Sequence, residues 1–149
     1  MLEGKRVKIE SVAKVLKKNG LATPELAALR ADRANYKLCL LQPSGDITYD
    51  ETGIRHANPL AAASEFEAFL DEVVARDADL AVTPEYAMPW GVLTTALKSG
   101  KAPKPGKLWA LGCESISWAN LVALRDAPDT VAKFIFEDLS NVAGQFVDP

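Results

Sequence analysis

The order of apolar runs in this chain predicts an α/β domain over residues 35–149, preceded by a helical extension over residues 1–34. Three observations carry that reading. Leu38–Leu41, Leu80–Val82 and Leu108–Leu111 are short, unbroken apolar runs of the kind that strands covered on both faces show. Between the first two, Phe66, Phe69, Leu70, Val73 and Val74 recur at helical spacing, while Glu65, Asp71, Glu72 and Arg76 mark a wet face. A strand, a helix and a strand with short connections form a βαβ unit, whose right-handed crossover leaves both strands parallel with their carboxyl ends on one edge.

In the extension, Val12, Val15 and Leu16 share a helical face, Lys17 and Lys18 suit the negative end of the dipole, and Asn19-Gly20 supplies a stop. Thr23-Pro24-Glu25 then reads as an N-cap, a first-turn proline and an acidic residue, predicting a second helix to about Arg33. The first strand lies within Tyr36–Gln42 and is ended by Pro43-Ser44-Gly45-Asp46. The stretch to His56 is turn-rich, with room for a short hairpin around Ile47–Tyr49. Asn58-Pro59 opens the main helix, and Asp77-Ala78-Asp79 breaks it before the Leu80 strand.

A shorter helix is expected over Trp90–Leu97, followed by a surface linker, Lys101–Lys107, whose lysines read as solvated. Leu108–Cys113 is the third strand, and Ser115 or Ser117 caps a helix over Trp118–Leu124 that Pro128 ends. Val131–Phe136 fits a strand or a helix equally.

With 48% hydrophobic and 25% charged residues, the composition is that of an ordinary globular domain, able to bury a core without disulfide or metal. No window reaches the roughly 20 apolar residues of a membrane span, and there is no signal-peptide pattern, so a cytoplasmic location is expected. Cys39 and Cys113 are then reduced thiols, with Cys39 in the core. One histidine and two separated cysteines make no metal-ligand set, and neither a GxGxxG nor a P-loop pattern occurs, so no cofactor is expected. His56, beside Arg55 in a loop, reads as exposed. The three tryptophans, 90, 109 and 118, read as core and pocket wall rather than as a nucleic-acid stacking platform.

Charge is uneven. Residues 1–37 carry nine basic against four acidic residues, a net of +5, and residues 38–149 carry −8. This leaves open a non-catalytic reading, an α/β interaction module that binds a protein or nucleic acid through basic N-terminal helices.

The strongest functional signal is Val82-Thr83-Pro84-Glu85-Tyr86, a carboxylate just past the carboxyl end of a buried strand, where open α/β sheets build their sites. An apolar strand ending in Gln42, an amphipathic helix, a strand ending in Pro84-Glu85-Tyr86 and a strand ending in Leu111-Gly112 together resemble the first half of the nitrilase, or carbon-nitrogen hydrolase, family. The resemblance implies part of an α-β-β-α sandwich and a Glu-Lys-Cys triad acting on small amides or nitriles. It places Glu85 as the catalytic glutamate, a base for the cysteine thiol whose basicity is raised by desolvation among groups such as Tyr86 and Trp90. Tyr86, Trp90 and Cys113 would line the substrate pocket. It implies that the lysine and the nucleophilic cysteine lie at the ends of later strands, since Cys113 follows Glu85 by only 28 positions. These residues alone should therefore be inactive. Half a sandwich leaves a sheet face and an edge bare, so association is expected, with a second copy or with the remainder of the same domain.

Overall fold

In the computed structural model, the described residues are 10–127, 134–135 and 146–147. In chain order the elements are α1 (Val12–Lys18), β1 (Leu38–Leu40), β2 (Ile47–Asp50), β3 (Gly53–His56), α2 (Pro59–Ala75), β4 (Leu80–Val82), α3 (Trp90–Lys98), β5 (Leu108–Ala110), β6 (Ile116–Ser117), α4 (Trp118–Asp126) and β7 (Phe146–Val147). The fold is mixed α/β: β1, β4 and β5 form a parallel sheet in that order, while β2–β3 and β6–β7 are antiparallel pairs.

Helix α2 forms where the local signals are densest. The Asn58 side chain accepts the Ala61 N–H at 3.1 Å, and Pro59 occupies the first turn. Ala62, Phe66, Phe69, Leu70 and Val73 are buried, whereas Val74, at the rim of the apolar stripe, is 42% exposed. Asp77 takes a left-handed conformation (φ 50°), which turns the chain out of the helix and into β4. Val92 and Ala96 of α3 join the same core.

The sheet register aligns Leu38 with Leu80 and Leu108, Cys39 with Ala81 and Trp109, and Leu40 with Val82 and Ala110. Ala81 lies in the helix-packed core, with Cys39 and Trp109 packed against it. Strand alternation therefore sends the two leucine-rich rows to the opposite face, where Leu38 is 52% and Leu40 65% exposed. The expectation that β1 is covered on both faces is thus corrected, because both long helices pack on one side.

The second N-terminal helix is not formed. Thr23–Arg33 contains only one 3-10 turn, Ala27–Leu29. The stretch is too short to sustain a helix alone, and it is instead tied to the domain by the Ala27 N–H donating to the Gly106 carbonyl at 2.7 Å. Helix α1 does form, with Gly20 in the left-handed region past its end, but it buries none of its residues.

The linker lysines all make ion pairs: Lys101 and Lys104 do so while exposed to water, and Lys107 alone is largely withdrawn from it. Lys107 Nζ lies 2.7 Å from the fully buried Asp79 and 3.2 Å from Asp77, Lys104 pairs with Asp77 at 3.1 Å, and Lys101 pairs with Asp71. Arg33 reaches Asp79 at 2.9 Å, and the Lys37 N–H donates to its other oxygen at 2.9 Å. Asp79 thereby ties the N-terminal segment, the amino end of β4 and the approach to β5 together.

The hairpin is present as β2–β3, and it folds back on the segment after β5. The Ile54 N–H donates to Ser115 Oγ at 2.8 Å, the Ser115 N–H to the Ile54 carbonyl at 2.9 Å, and the His56 N–H to Glu114 Oε1 at 3.0 Å. His56 is consequently buried, at 3% exposure, not exposed as its loop position implied. Gly45 makes room for its ring: a Cβ there would stand 2.6 Å from His56 Cε1. Of the two capping candidates for α4, Ser117 is the one that caps, accepting the Asn120 N–H at 3.2 Å. Most of Val131–Phe136 lies outside the described residues, and Phe134 and Ile135 show no regular structure.

Candidate functional site at the carboxyl edge of the sheet

The chain leaves β4 through Thr83-Pro84 and turns sharply at Glu85-Tyr86, with Tyr86 in the left-handed region (φ 57°). It then returns along the end of β5. The Thr83 N–H donates to the Ala110 carbonyl at 3.0 Å, Thr83 Oγ1 accepts the Gly112 N–H at 2.9 Å, and the Ala87 and Met88 N–H groups both reach the Gly112 carbonyl. Gly112 is required for this approach. A Cβ there would lie 2.2 Å from the Pro84 carbonyl oxygen and 2.6 Å from Glu85 Cα, contacts that backbone cannot relieve. The Glu85 turn is therefore clamped to the third strand on both sides.

Glu85 itself is exposed and Tyr86 half-buried, so the expected desolvation of the carboxylate by Tyr86 and Trp90 is not met within these residues. The carboxylate stands on a turn tip with water around it. Trp90 opens α3, and its indole N–H donates to the Glu114 carbonyl at 2.6 Å, which fixes the ring beside the hairpin–Ser115 junction. Trp90 also lines an open cleft of about 350 Å³ between the hairpin, α3 and α4, together with Thr52, Arg55, Thr94, Ser117 and Asn120.

Cys113 belongs to the core. It is 3% exposed, bridges Met88 in the parallel sense and has its Sγ 3.9 Å from the Leu111 carbonyl. Burial, aided by the neighbouring Glu114 charge, pushes its thiol up to about 12, so it is protonated throughout the neutral range. The fold brings Glu85 and Cys113 to the same edge through Gly112, but it gives only Glu85 access to solvent. Cys39 is half-buried in β1, and neither cysteine is bridged. Among the described residues no three His, Cys, Asp or Glu side chains could hold a metal. No described helix is long and apolar enough to cross a membrane.

Sequence reasoning did not find the His56–Glu114–Ser115 junction or the Asp79 clamp. Both arise from contacts between residues 28 to 61 positions apart. The one available signal was the Asp50–Gly53 turn between two alternating runs, which is hairpin chemistry. No protein-family model, curated protein sequence or solved structure matches this chain.

Proposed function

We propose that these residues form the first half of a nitrilase-type carbon-nitrogen hydrolase domain, in which Glu85 is the general base for hydrolysis of small amides or nitriles. The observation that carries this reading is the setting of Glu85: just past the carboxyl end of the central strand of a parallel sheet with described helices on one face and partly exposed apolar side chains, Leu38 and Leu40 among them, on the other. A second sheet laid on that surface would complete an α-β-β-α sandwich.

In this reading Glu85 takes the proton of a cysteine thiol, and the thiolate adds to the carbonyl or nitrile carbon. A lysine ammonium stabilises the negative charge that develops on the substrate oxygen or nitrogen. Ammonia or an amine leaves an amide substrate, and water then releases the acid from the thioester. A nitrile gives a thioimidate, which one water converts to the thioester with loss of ammonia and a second water hydrolyses to the acid, freeing the thiol. Cys113 is unsuited to the nucleophile's role, being buried and protonated, and Lys104 and Lys107 are committed to Asp77 and Asp79 at the amino end of β4. In this reading the thiol and the ammonium come from the remainder of the same domain. Their closure over Glu85 would exclude water and raise its basicity.

The test is to trap the acyl-enzyme of the full-length gene product with a slow amide or nitrile and map it by mass spectrometry. An adduct on a cysteine other than Cys39 or Cys113 is the expected result. An adduct on Cys113, or no adduct and no turnover with any small amide or nitrile, would overturn the reading.

The exposure of α1 favours a second one. Lys14, Lys17 and Lys18 lie on a helix that buries nothing, as a basic arm for an acidic partner or nucleic acid would. Binding of a DNA or RNA oligonucleotide whose affinity falls log-linearly with salt would support it, and no binding at low salt would remove it.

A further inference from the structure

The turn that carries Glu85 would not keep its shape on local preferences alone. Tyr86 sits at φ 57°, a region that suits glycine or asparagine and strains a bulky aromatic residue, and such backbone persists only where its surroundings hold it. Gly112 holds it, because both of its main-chain polar groups are committed to this one loop. Its carbonyl accepts the Ala87 and Met88 N–H groups at 3.3 and 2.9 Å, on the far side of Glu85. Its N–H donates to Thr83 Oγ1 at 2.9 Å, on the near side.

The near-side bond departs from the sheet pattern in its acceptor. Thr83 continues the β4–β5 ladder by donating its N–H to the Ala110 carbonyl at 3.0 Å. In a parallel pair the next rung would run from the Gly112 N–H to the Thr83 main-chain carbonyl. The side-chain hydroxyl takes that rung instead, so the ladder is completed while the main chain is released to turn at Pro84. Thr83 is only 6% exposed, which keeps water from competing for the bond. The far-side bonds run from main chain to main chain and are indifferent to side-chain identity, whereas the near-side bond depends on this one hydroxyl.

We propose that Thr83 is the positioning residue for Glu85: by accepting the Gly112 N–H, its hydroxyl fixes the place from which the carboxylate acts. This role rests on the reading of Glu85 as general base. Thr83 touches no substrate in it and acts only through the turn. Valine has the same branched outline, and Pro84 keeps position 83 extended whichever residue stands there, so Thr83→Val removes the acceptor and little else. The Gly112 N–H then loses its partner and the turn is free to shift. A misplacement of about 1 Å is enough to cost about 10² in rate.

The experiment is steady-state hydrolysis of a small amide by the full-length gene product, with exchange of the Gly112 amide measured alongside. In the wild type the Gly112 N–H should be protected. In Thr83→Val its exchange should speed at least about tenfold, and kcat should fall about 10- to 100-fold with KM within about twofold, because placement of a base matters in the transition state and not in ground-state binding. Thr83→Ser keeps the acceptor and should recover most of kcat, and Thr83→Ala carries the same expectation as valine should the valine variant not fold. Val73→Ala opens a hole at the other end of β4, where the Val73 carbonyl accepts the Ala78 N–H, and should lower stability while leaving kcat of the folded protein near wild type. Wild-type kcat in Thr83→Val, equal losses in Thr83→Val and Thr83→Ser, or an unprotected Gly112 amide in the wild type would each overturn the role of Thr83, and a fall of kcat in Glu85→Gln would show that the base itself still stands. Turnover that survives in Glu85→Gln would overturn the reading of Glu85 and the role of Thr83 with it.

Discussion

Asp79 and Cys113 are the two residues whose surroundings constrain their chemistry most. The Asp79 carboxylate, held by the Lys107 ammonium first, then by the Lys37 N–H and Arg33, titrates well below its ordinary value of 3.8. Its folded-state value is depressed, so the stability it contributes is fully present above about pH 4 and drains away as the pH falls through the folded value. Asp79→Asn should therefore lower the thermal midpoint at pH 7 more than the same change at Asp71 or Asp77, with the gap to wild type narrowing below pH 4. An equal gap at pH 7 and pH 2.5, followed by circular dichroism, would show that the ion pairs contribute nothing. Cys113 leads to a different expectation. With its thiol pushed up to about 12, only about one molecule in ten thousand carries the thiolate at pH 8, and burial shields even that. In a timed thiol titration with a chromogenic disulfide, Cys113 should react only after denaturant is added. Prompt reaction in the native protein would make it a candidate nucleophile.

Among the elements, those written in neighbouring residues could be read directly. Helix α2 follows from Asn58-Pro59 and the Phe66–Val73 stripe, and β1, β4 and β5 follow from their apolar runs, because each signal lies within the element it specifies. Elements decided by distant contacts could not be read. Thr23–Arg33 has a local start signal, yet docking of Ala27 on Gly106 prevails over it, and His56 looks like a loop residue until the hairpin closes on Glu114. The turn that presents Glu85 is of both kinds. Pro84 ends the strand locally, but only the approach of Gly112 holds the turn in place. Gly112→Ala should accordingly cost about 2 kcal/mol or more in urea unfolding, since its Cβ would meet backbone rather than a movable side chain. Gly53→Ala, with φ 109° and Ser115 Cβ at 2.3 Å, should loosen the hairpin and speed hydrogen exchange at Ile54 and Ser115. A loss below about 0.5 kcal/mol at Gly112 would mean that the Glu85 turn is not clamped as described.

At the scale of the molecule, the fold is a one-sided sheet. Leu38, Leu40, Leu80, Val82, Leu108 and Ala110 share a face that no described helix covers, and the exposed leucines at β1 suit it to association. The chain should bind a hydrophobic dye and self-associate with rising concentration in sedimentation velocity, and Leu38→Glu with Leu40→Glu should reduce both without unfolding the helix-packed core. A monomer at all concentrations with no dye binding would mean that the face is already covered. Glu85 stands just past the carboxyl end of the central strand of this sheet, where the proposed function places the general base. The most direct measurement is therefore kcat of the full-length gene product on a small amide, wild type against Glu85→Gln and Cys113→Ser. Loss of a general base should lower kcat by about 10²- to 10⁴-fold in Glu85→Gln, with Cys113→Ser close to wild type. Turnover that survives in Glu85→Gln and is abolished in Cys113→Ser would contradict the assignment of Glu85 as the base and of Cys113 as a core residue.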